Sequence, residues 1–356
     1  MRDKLGSGFP SIYQKSTNDI FYIYAPPWRD SSAGIRVLHY LCHSLNVIGC
    51  PAWLVLTNPN SKNQVTNQSL KTPLLSRALA RQHIQSGQSP IVIYSETILG
   101  NPLKAKRVMR WILNFPGALG GSTQYPADEF VVSYSEKIQS CTPNCNNVLF
   151  LPAVDLDELP QSVEKQKGLT LVYAGKYRSF IGSPPQLPEN PIEIFRDGKN
   201  KLPRKEFLIE IAKAEKIYLF ENSTVATEAV LMNTIVIFVP NIFLNEIIAE
   251  SELGLGGVAI GFEPAQIQIA KQSLPGARLQ YNEAQENFWD QLYKFIDNVH
   301  EYFQDQPPQE APIVPPTTFV GLLKHRIRLT RGIIQQKGMA TAFRTIFMYF
   351  TSSRRS

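Results

Sequence analysis

Apolar residues in this chain fall into two kinds of pattern, and their alternation predicts the architecture. Residues 19–25, DIFYIYA, form an almost unbroken apolar run ended by Pro26 and Pro27. In 35–48, Val37, Leu38, Leu41, Leu45 and Ile48 recur at helical spacing, and 53–56 (WLVL) is apolar again. Strand, helix, strand is the order a parallel pair requires, because its crossover is helical. Further strands are expected at 91–94, 130–133 and 148–151, and short helices at 74–84 and 133–138. The stretch 108–115 is apolar with Arg110 and Asn114 inside it, and is broken by PGALGG. The alternation then restarts. Strands are expected at 169–174, 192–195, 216–220, 235–239 and in VAIG, with helices at 205–214, 227–232, 244–252, 265–272 and 284–303. The fold class that follows is α/β, with two successive parallel-sheet halves and no internal repeat.

The break between the halves falls in 152–166, which is polar and contains proline. The expected domains are 1–158 and 159–304. A connector at 305–318 follows, with five prolines in the fourteen residues of DQPPQEAPIVPPTT. Residues 319–356 form a basic helical tail. A length of 356 residues suits two domains, and a hydrophobic content of 43% suits ordinary cores.

Charge refines this picture. The formal net charge is +6, yet the last acidic residue is Glu310, and eight Lys or Arg follow it. Setting those eight aside leaves 28 of the 36 basic residues against 30 acidic ones, so the body is slightly acidic. That excludes a body built to hold nucleic acid. No apolar run reaches the ~20 residues of a membrane span, and the first residues lack the apolar core of a signal peptide. The expectation is a cytoplasmic chain. Four cysteines are too few for a disulfide scaffold in this length, and Cys141 and Cys145 in CTPNC lack a second ligand pair, so no metal site is expected.

The richest chemistry lies in 216–240, KIYLFENSTVATEAVLMNTIVIFVP. Its loop sets Ser223, Thr224, Glu221 and Glu228 between two strands, at the edge where open α/β sheets bind ligands. Ser223 and Thr224 can cap a helix, whose N-terminus favours phosphate, and a carboxylate one turn on suits ribose hydroxyls. The ligand suggested is a nucleotide diphosphate. Earlier in the second half, Lys176 and Arg178 follow a strand and Gly175. They are either diphosphate contacts or two solvated loop charges. In the first half, Ser31 to Gly34 form a small-residue turn into the first helix. Gly34 there serves a ligand or only a tight helix entry.

YIYAPPWRDSSAGIRVLHYLCHSLNVIG, NVLFLPAVDLDEL, LVYAGKYR and ENSTVATEAVLMNTIVIFVP together resemble segments of nucleotide-sugar glycosyltransferases of the GT-B fold, over about residues 19–304. The resemblance implies two Rossmann-like domains facing a cleft. It implies a nucleotide-diphosphate sugar as donor substrate with no separate cofactor or metal, and a glycan or glycolipid acceptor, as in surface polysaccharide synthesis. By it, Glu228 would accept from the ribose, Ser223 and Thr224 would sit at the phosphates with Gly34 at the first loop, and Lys176 and Arg178 would offset the charge of the leaving diphosphate. Glu221 stands seven residues before Glu228 where such enzymes often have eight, so it caps the helix or faces solvent. A nucleotide-sugar epimerase of the same fold, or an inactive scaffold subunit, are the alternatives.

An inverting transferase needs a base in the first domain. The candidates are Glu96, which ends a strand or caps the segment after it, Asp30 in the first loop, and His39, with His43 on the same helical face. The tail interleaves Lys324, Arg326, Arg328 and Arg331 with Leu322, Leu323, Ile327 and Ile333. The stretch 319–336 is expected to pack back on the first domain, while 339–356 either extends it or lies on an anionic membrane surface, which would place the chain at the inner face of the membrane.

Overall fold

The computed structural model describes residues 10–14, 18–58, 65–242, 244 and 246–313. They form two compact units. The N-terminal unit comprises Pro10–Leu151 and the chain from Trp289 onward, and the C-terminal unit comprises Pro152–Phe288. Two Rossmann-like parallel-sheet α/β units are therefore present. The tail at 319–356 lies outside the described residues.

In the N-terminal unit, β1 (Asp19–Ala25), β2 (Ala52–Leu56), β3 (Ser89–Ser95), β4 (Arg107–Ile112), β5 (Phe130–Ser133) and β6 (Asn147–Val148) form one sheet in the order β2-β1-β3-β4-β5-β6. Every pairing in it is parallel. β1 and β3 are buried along almost their whole length, which explains their unbroken apolar runs. Helix α1 (Ala33–Val47) is buried from Arg36 through Leu45, polar residues included. Helices α2 (Arg77–Gln85) and α3 (Glu136–Ser140) open on Ser76 and Ser135, each of which accepts a backbone N–H.

The apolar stretch broken by PGALGG is strand β4. Its inward Arg110 is tolerated because Nε and Nη2 grip Glu129 at 2.9 and 2.8 Å, while Nη1 and Nη2 donate to the carbonyls of Ile98 and Gly100. Residues 305–313, expected as a stiff connector outside the domains, instead pack on this unit. Arg107 donates to the Gln306 carbonyl at 2.8 Å, the Lys106 N–H donates to the Gln309 side chain at 2.9 Å, and Ile313 is buried in the cluster that holds Ile20, Tyr22 and Val92. An isoleucine among the prolines supplies the anchor.

In the C-terminal unit, β7 (Thr170–Tyr173), β8 (Ile192–Glu193), β9 (Lys216–Leu219), β10 (Ile235–Phe238) and β11 (Val258–Ile260) form a parallel sheet in the order β11-β10-β9-β7-β8. It is covered by α4 (Gly175–Phe180), α5 (Arg204–Lys213), α6 (Thr224–Leu231), α7 (Glu250–Leu253), α8 (Pro264–Ser273) and the start of α9 (Ala277–Phe303). On α9, Phe288, Leu292, Phe295, Ile296 and Val299 are buried, the stripe that helical spacing predicts.

Two expectations change here. Lys176 and Arg178 lie on a helix, α4, not in a loop. The helix expected over 244–252 shrinks to α7. Asn222 holds the preceding segment as a loop, donating to the Glu246 carbonyl at 2.8 Å and accepting from the Ile248 N–H at 3.0 Å. Side-chain bonds of this kind compete with helix.

Candidate functional site

Each sheet has one point where the direction of strand addition reverses, between β1 and β3 in the first and between β7 and β9 in the second. Loops leaving the C-terminal ends of such strand pairs diverge and leave a crevice, the usual ligand position of this fold class. Every candidate residue except Gly34, His39 and His43 lies on a segment that leaves one of these strands or on the short helix that follows it. Gly34, His39 and His43 are on α1, after β1.

In the C-terminal unit the reversal point is flanked by the residues after β7 and β9. Ser223 is the N-cap of α6, and its Oγ accepts the Val225 N–H at 3.3 Å. Ser223 and Thr224 are half-buried. Glu221, whose expected place was a helix cap or solvent, is buried, and its Oε2 accepts the Lys176 N–H at 2.5 Å. It thereby ties the end of β9 to the first turn of α4. Burial raises the Glu221 carboxyl above its ordinary range, against the pull of Lys176 and Arg196. Gly175 is required at the same turn, since a Cβ there would stand 2.8 Å from the Tyr173 hydroxyl.

The two basic residues read from the sequence have different fates. The Lys176 side chain is half-buried beside Glu221. Arg178 is engaged at both ends of its guanidinium by Glu193, with Nε donating to Oε1 at 2.7 Å and Nη2 to Oε2. A bidentate pair of that kind is already satisfied.

Glu228 also departs from its expected role. A ribose contact needs an accessible carboxylate, whereas the Glu228 side chain is 0% exposed and bound by Arg204 Nη2 at 2.8 Å. Arg204 also meets Glu158 at 3.5 Å. Glu228 is therefore half of a buried ion pair that fixes α5 to α6.

Arg196, which the sequence reading did not single out, stands beside the N-cap. Its Nη1 donates to Ser223 Oγ at 3.3 Å, and its guanidinium lies 5.9 Å from the ring centres of both Tyr173 and Phe207. A basic residue shortly after a strand was the signal that picked out Lys176 and Arg178, and the same signal applies to Arg196 after β8. Arg204 carried no signal, because its partner is 24 residues away in the chain.

In the N-terminal unit, Asp30 is exposed in the loop after β1, where its Oδ1 accepts the Trp28 indole N–H at 2.6 Å. It does not cap α1, whose N-cap is Ser32. Glu96 is buried at the end of β3, and its Oε2 accepts the Leu113 N–H at 3.0 Å, so it braces the end of β4. No helix follows it to be capped. Gly121 approaches the Glu96 carbonyl so closely that an added Cβ would stand 1.8 Å from the oxygen.

His39 is fully buried, edge-on to Trp28, and its Nε2 N–H donates to the Pro26 carbonyl at 3.0 Å. Burial pushes its pKa down to about 4, opposed by that bond. It is a neutral core residue. His43 accepts the Lys71 N–H on Nδ1 at 2.9 Å. Gly34 lies inside α1, and a Cβ there would meet only Leu113, at an ordinary 3.8 Å.

No protein-family model matches this chain, and no curated protein does. Several solved structures are similar to it. AviGT4, a glycosyltransferase involved in avilamycin A biosynthesis, is 14% identical with a TM-score of 0.41, covering 82% of this chain and 99% of its own. WaaG, a glycosyltransferase involved in lipopolysaccharide biosynthesis, is 12% identical with a TM-score of 0.40, over 79% and 99%. A UDP-N-acetylglucosamine 2-epimerase is 10% identical with a TM-score of 0.38, over 82% and 98%.

Proposed function

We propose that the chain is a GT-B glycosyltransferase that takes a nucleotide-diphosphate sugar in its C-terminal unit and transfers the sugar to a glycan or glycolipid acceptor, as in surface polysaccharide synthesis. The observation that carries the reading is the strand-order reversal between β7 and β9. There the hydroxyls of Ser223 and Thr224 and the first N–H groups of α6 form a helix N-terminus at the switch point of a parallel sheet. Such a terminus favours phosphate, through its N–H groups and the positive end of the helix dipole. Sugar transfer loads negative charge on the leaving phosphate, so the same groups would lower the barrier as the bond breaks. A buried ion pair, Glu228 with Arg204, ties α6 to α5.

Among the base candidates, Asp30 has the geometry for the role, being exposed at the end of β1 with the Trp28 indole orienting its carboxylate. Glu96 and His39 serve the fold. In this reading Asp30 accepts the proton from the acceptor hydroxyl. D30N is expected to lower turnover by about 10²–10⁴-fold with donor affinity kept. Equal turnover would remove Asp30 from the reaction.

A thermal-shift screen with uridine, guanosine, thymidine and cytidine diphosphates tests the donor site, because a ligand of the native state raises its apparent stability. One base should shift the transition, and silence from all four would sink the reading. Release of nucleoside diphosphate only when acceptor is present identifies a transferase. Interconversion of the sugar without acceptor identifies an epimerase. We further propose that residues 339–356 contact anionic lipid. Flotation of the full chain and of residues 1–316 with phosphatidylserine-containing liposomes tests this, and equal behaviour sinks it.

A further inference from the structure

We infer that a cavity at the N-terminal edge of the first sheet is a binding site for a neutral polyhydroxyl ligand, a short stretch of glycan. β1, β3 and β4 begin there with Asp19, Ser89 and Arg107, and the end of α9 and the residues after it supply most of the remaining lining. The cavity has a volume of about 690 Å³. That falls in the range of about 300–1,000 Å³ that takes small-molecule ligands. Two of the lining residues carry the inference. Ser89 and Arg107 are only 5% and 7% exposed, and Ser89 Oγ and Arg107 Nε have no hydrogen-bond partner among the described residues. Buried polar atoms are as a rule paired. Arg107 is not free to turn toward another partner, since Nη1 donates to Asp19 Oδ1 at 2.6 Å and Nη2 to the Gln306 carbonyl at 2.8 Å. Asp19 is itself held by His300, whose Nδ1 donates to Oδ2 at 2.6 Å. The guanidinium is thus fixed in place with one N–H left over.

The charge of the lining selects the ligand. Asp19, Asp297 and Glu301 outnumber Arg107 even when His300 is protonated, so an anion is repelled. A cation offers no acceptor to the Arg107 Nε N–H and stands against its charge. A hydroxyl is donor and acceptor at once. It can accept from Arg107 Nε, bond Ser89 Oγ in either sense, and donate to the Glu301 carboxylate. A sugar presents several hydroxyls at fixed spacing, and the cavity far exceeds the ~30 Å³ share of one water. This edge is opposite the one from which the segments carrying Asp30 and Glu96 leave β1 and β3. Those strands have seven residues each, so about 20 Å of sheet separates the two edges. The inference therefore stands apart from the donor reading and from the role given to Asp30.

The test is calorimetric titration of the full chain, without nucleotide, with maltotriose, cellotriose and chitotriose. Glucose 6-phosphate and spermidine serve as anionic and cationic probes. At least one trisaccharide is expected to bind, and more tightly than either charged probe. S89A should weaken that binding about 3–10-fold, as the loss of one neutral hydrogen bond would. R107K keeps the charge and loses Nε, and should weaken it about 10-fold or more. Silence from all three trisaccharides overturns the assignment, as does tighter binding of a charged probe. A trisaccharide affinity that either S89A or R107K leaves unchanged places the sugar elsewhere on the chain and overturns it too. Should R107K fail to fold, E301Q decides together with S89A. It should weaken binding about 3-fold or more, and no change in either variant overturns the assignment. A chain that binds trisaccharide here but no nucleoside diphosphate loses the donor reading and keeps this one, so the two fail separately.

Discussion

At the scale of single residues, burial separates the groups that can meet a ligand from those that hold the chain together. Glu228 and Arg204 belong to the second kind. Truncating one partner of a buried pair strands the other, so R204M is expected to cost about 3–5 kcal/mol in urea denaturation, and the isosteric E228Q less than E228A. His39 gives a pH dependence. Its folded pKa of about 4 lies below the ordinary 6.5, so as pH falls the unfolded chain takes up a proton first. Its contribution is therefore complete above 6.5, is lost between 6.5 and about 4, and is constant below that. The loss is on the order of 3 kcal/mol. Stability curves of the wild type and H39Q should converge across this window, and parallel curves would refute it. Gly121 is set by contact alone. A methyl group within 1.8 Å of the Glu96 oxygen forces the backbone apart, so G121A should lower stability by about 2 kcal/mol or more.

At the scale of elements, the ends of helices decide more than their middles. Lys165 Nζ donates to the carbonyls of Ala214 and Met232, which are the C-caps of α5 and α6, at 2.7 and 3.0 Å, and to Thr234 Oγ1 at 2.6 Å. A cation at two helix C-termini satisfies carbonyls that have no partner inside the helix. K165M should destabilise the C-terminal unit by about 1–3 kcal/mol, measured by denaturation. The segment 227–232 was legible as helix from composition, but its true start is Thr224, with Ser223 as cap. α4 was not legible. Its first turn depends on a carboxylate 45 residues later, Glu221, which no local pattern contains.

At the scale of the molecule, Ile313 shows how far the N-terminal unit extends along the chain. I313D places a carboxylate in the cluster of Ile20, Tyr22 and Val92, and should cost about 2–4 kcal/mol in urea denaturation. An unchanged midpoint would return 305–313 to the status of a linker. The sequence by itself determined the two parallel-sheet units, because strands covered on both faces must be written as unbroken apolar runs and their crossovers as helices. It also determined that Ser223 and Thr224 follow a strand and open a helix. Which partner each charge there takes was decided only in three dimensions. Arg178 is taken by Glu193, Glu228 by Arg204, and Arg196 is carried to the N-cap of α6. A charge's partner is set by distance and burial, and residues 15, 24 and 27 positions apart become neighbours only when the sheet forms.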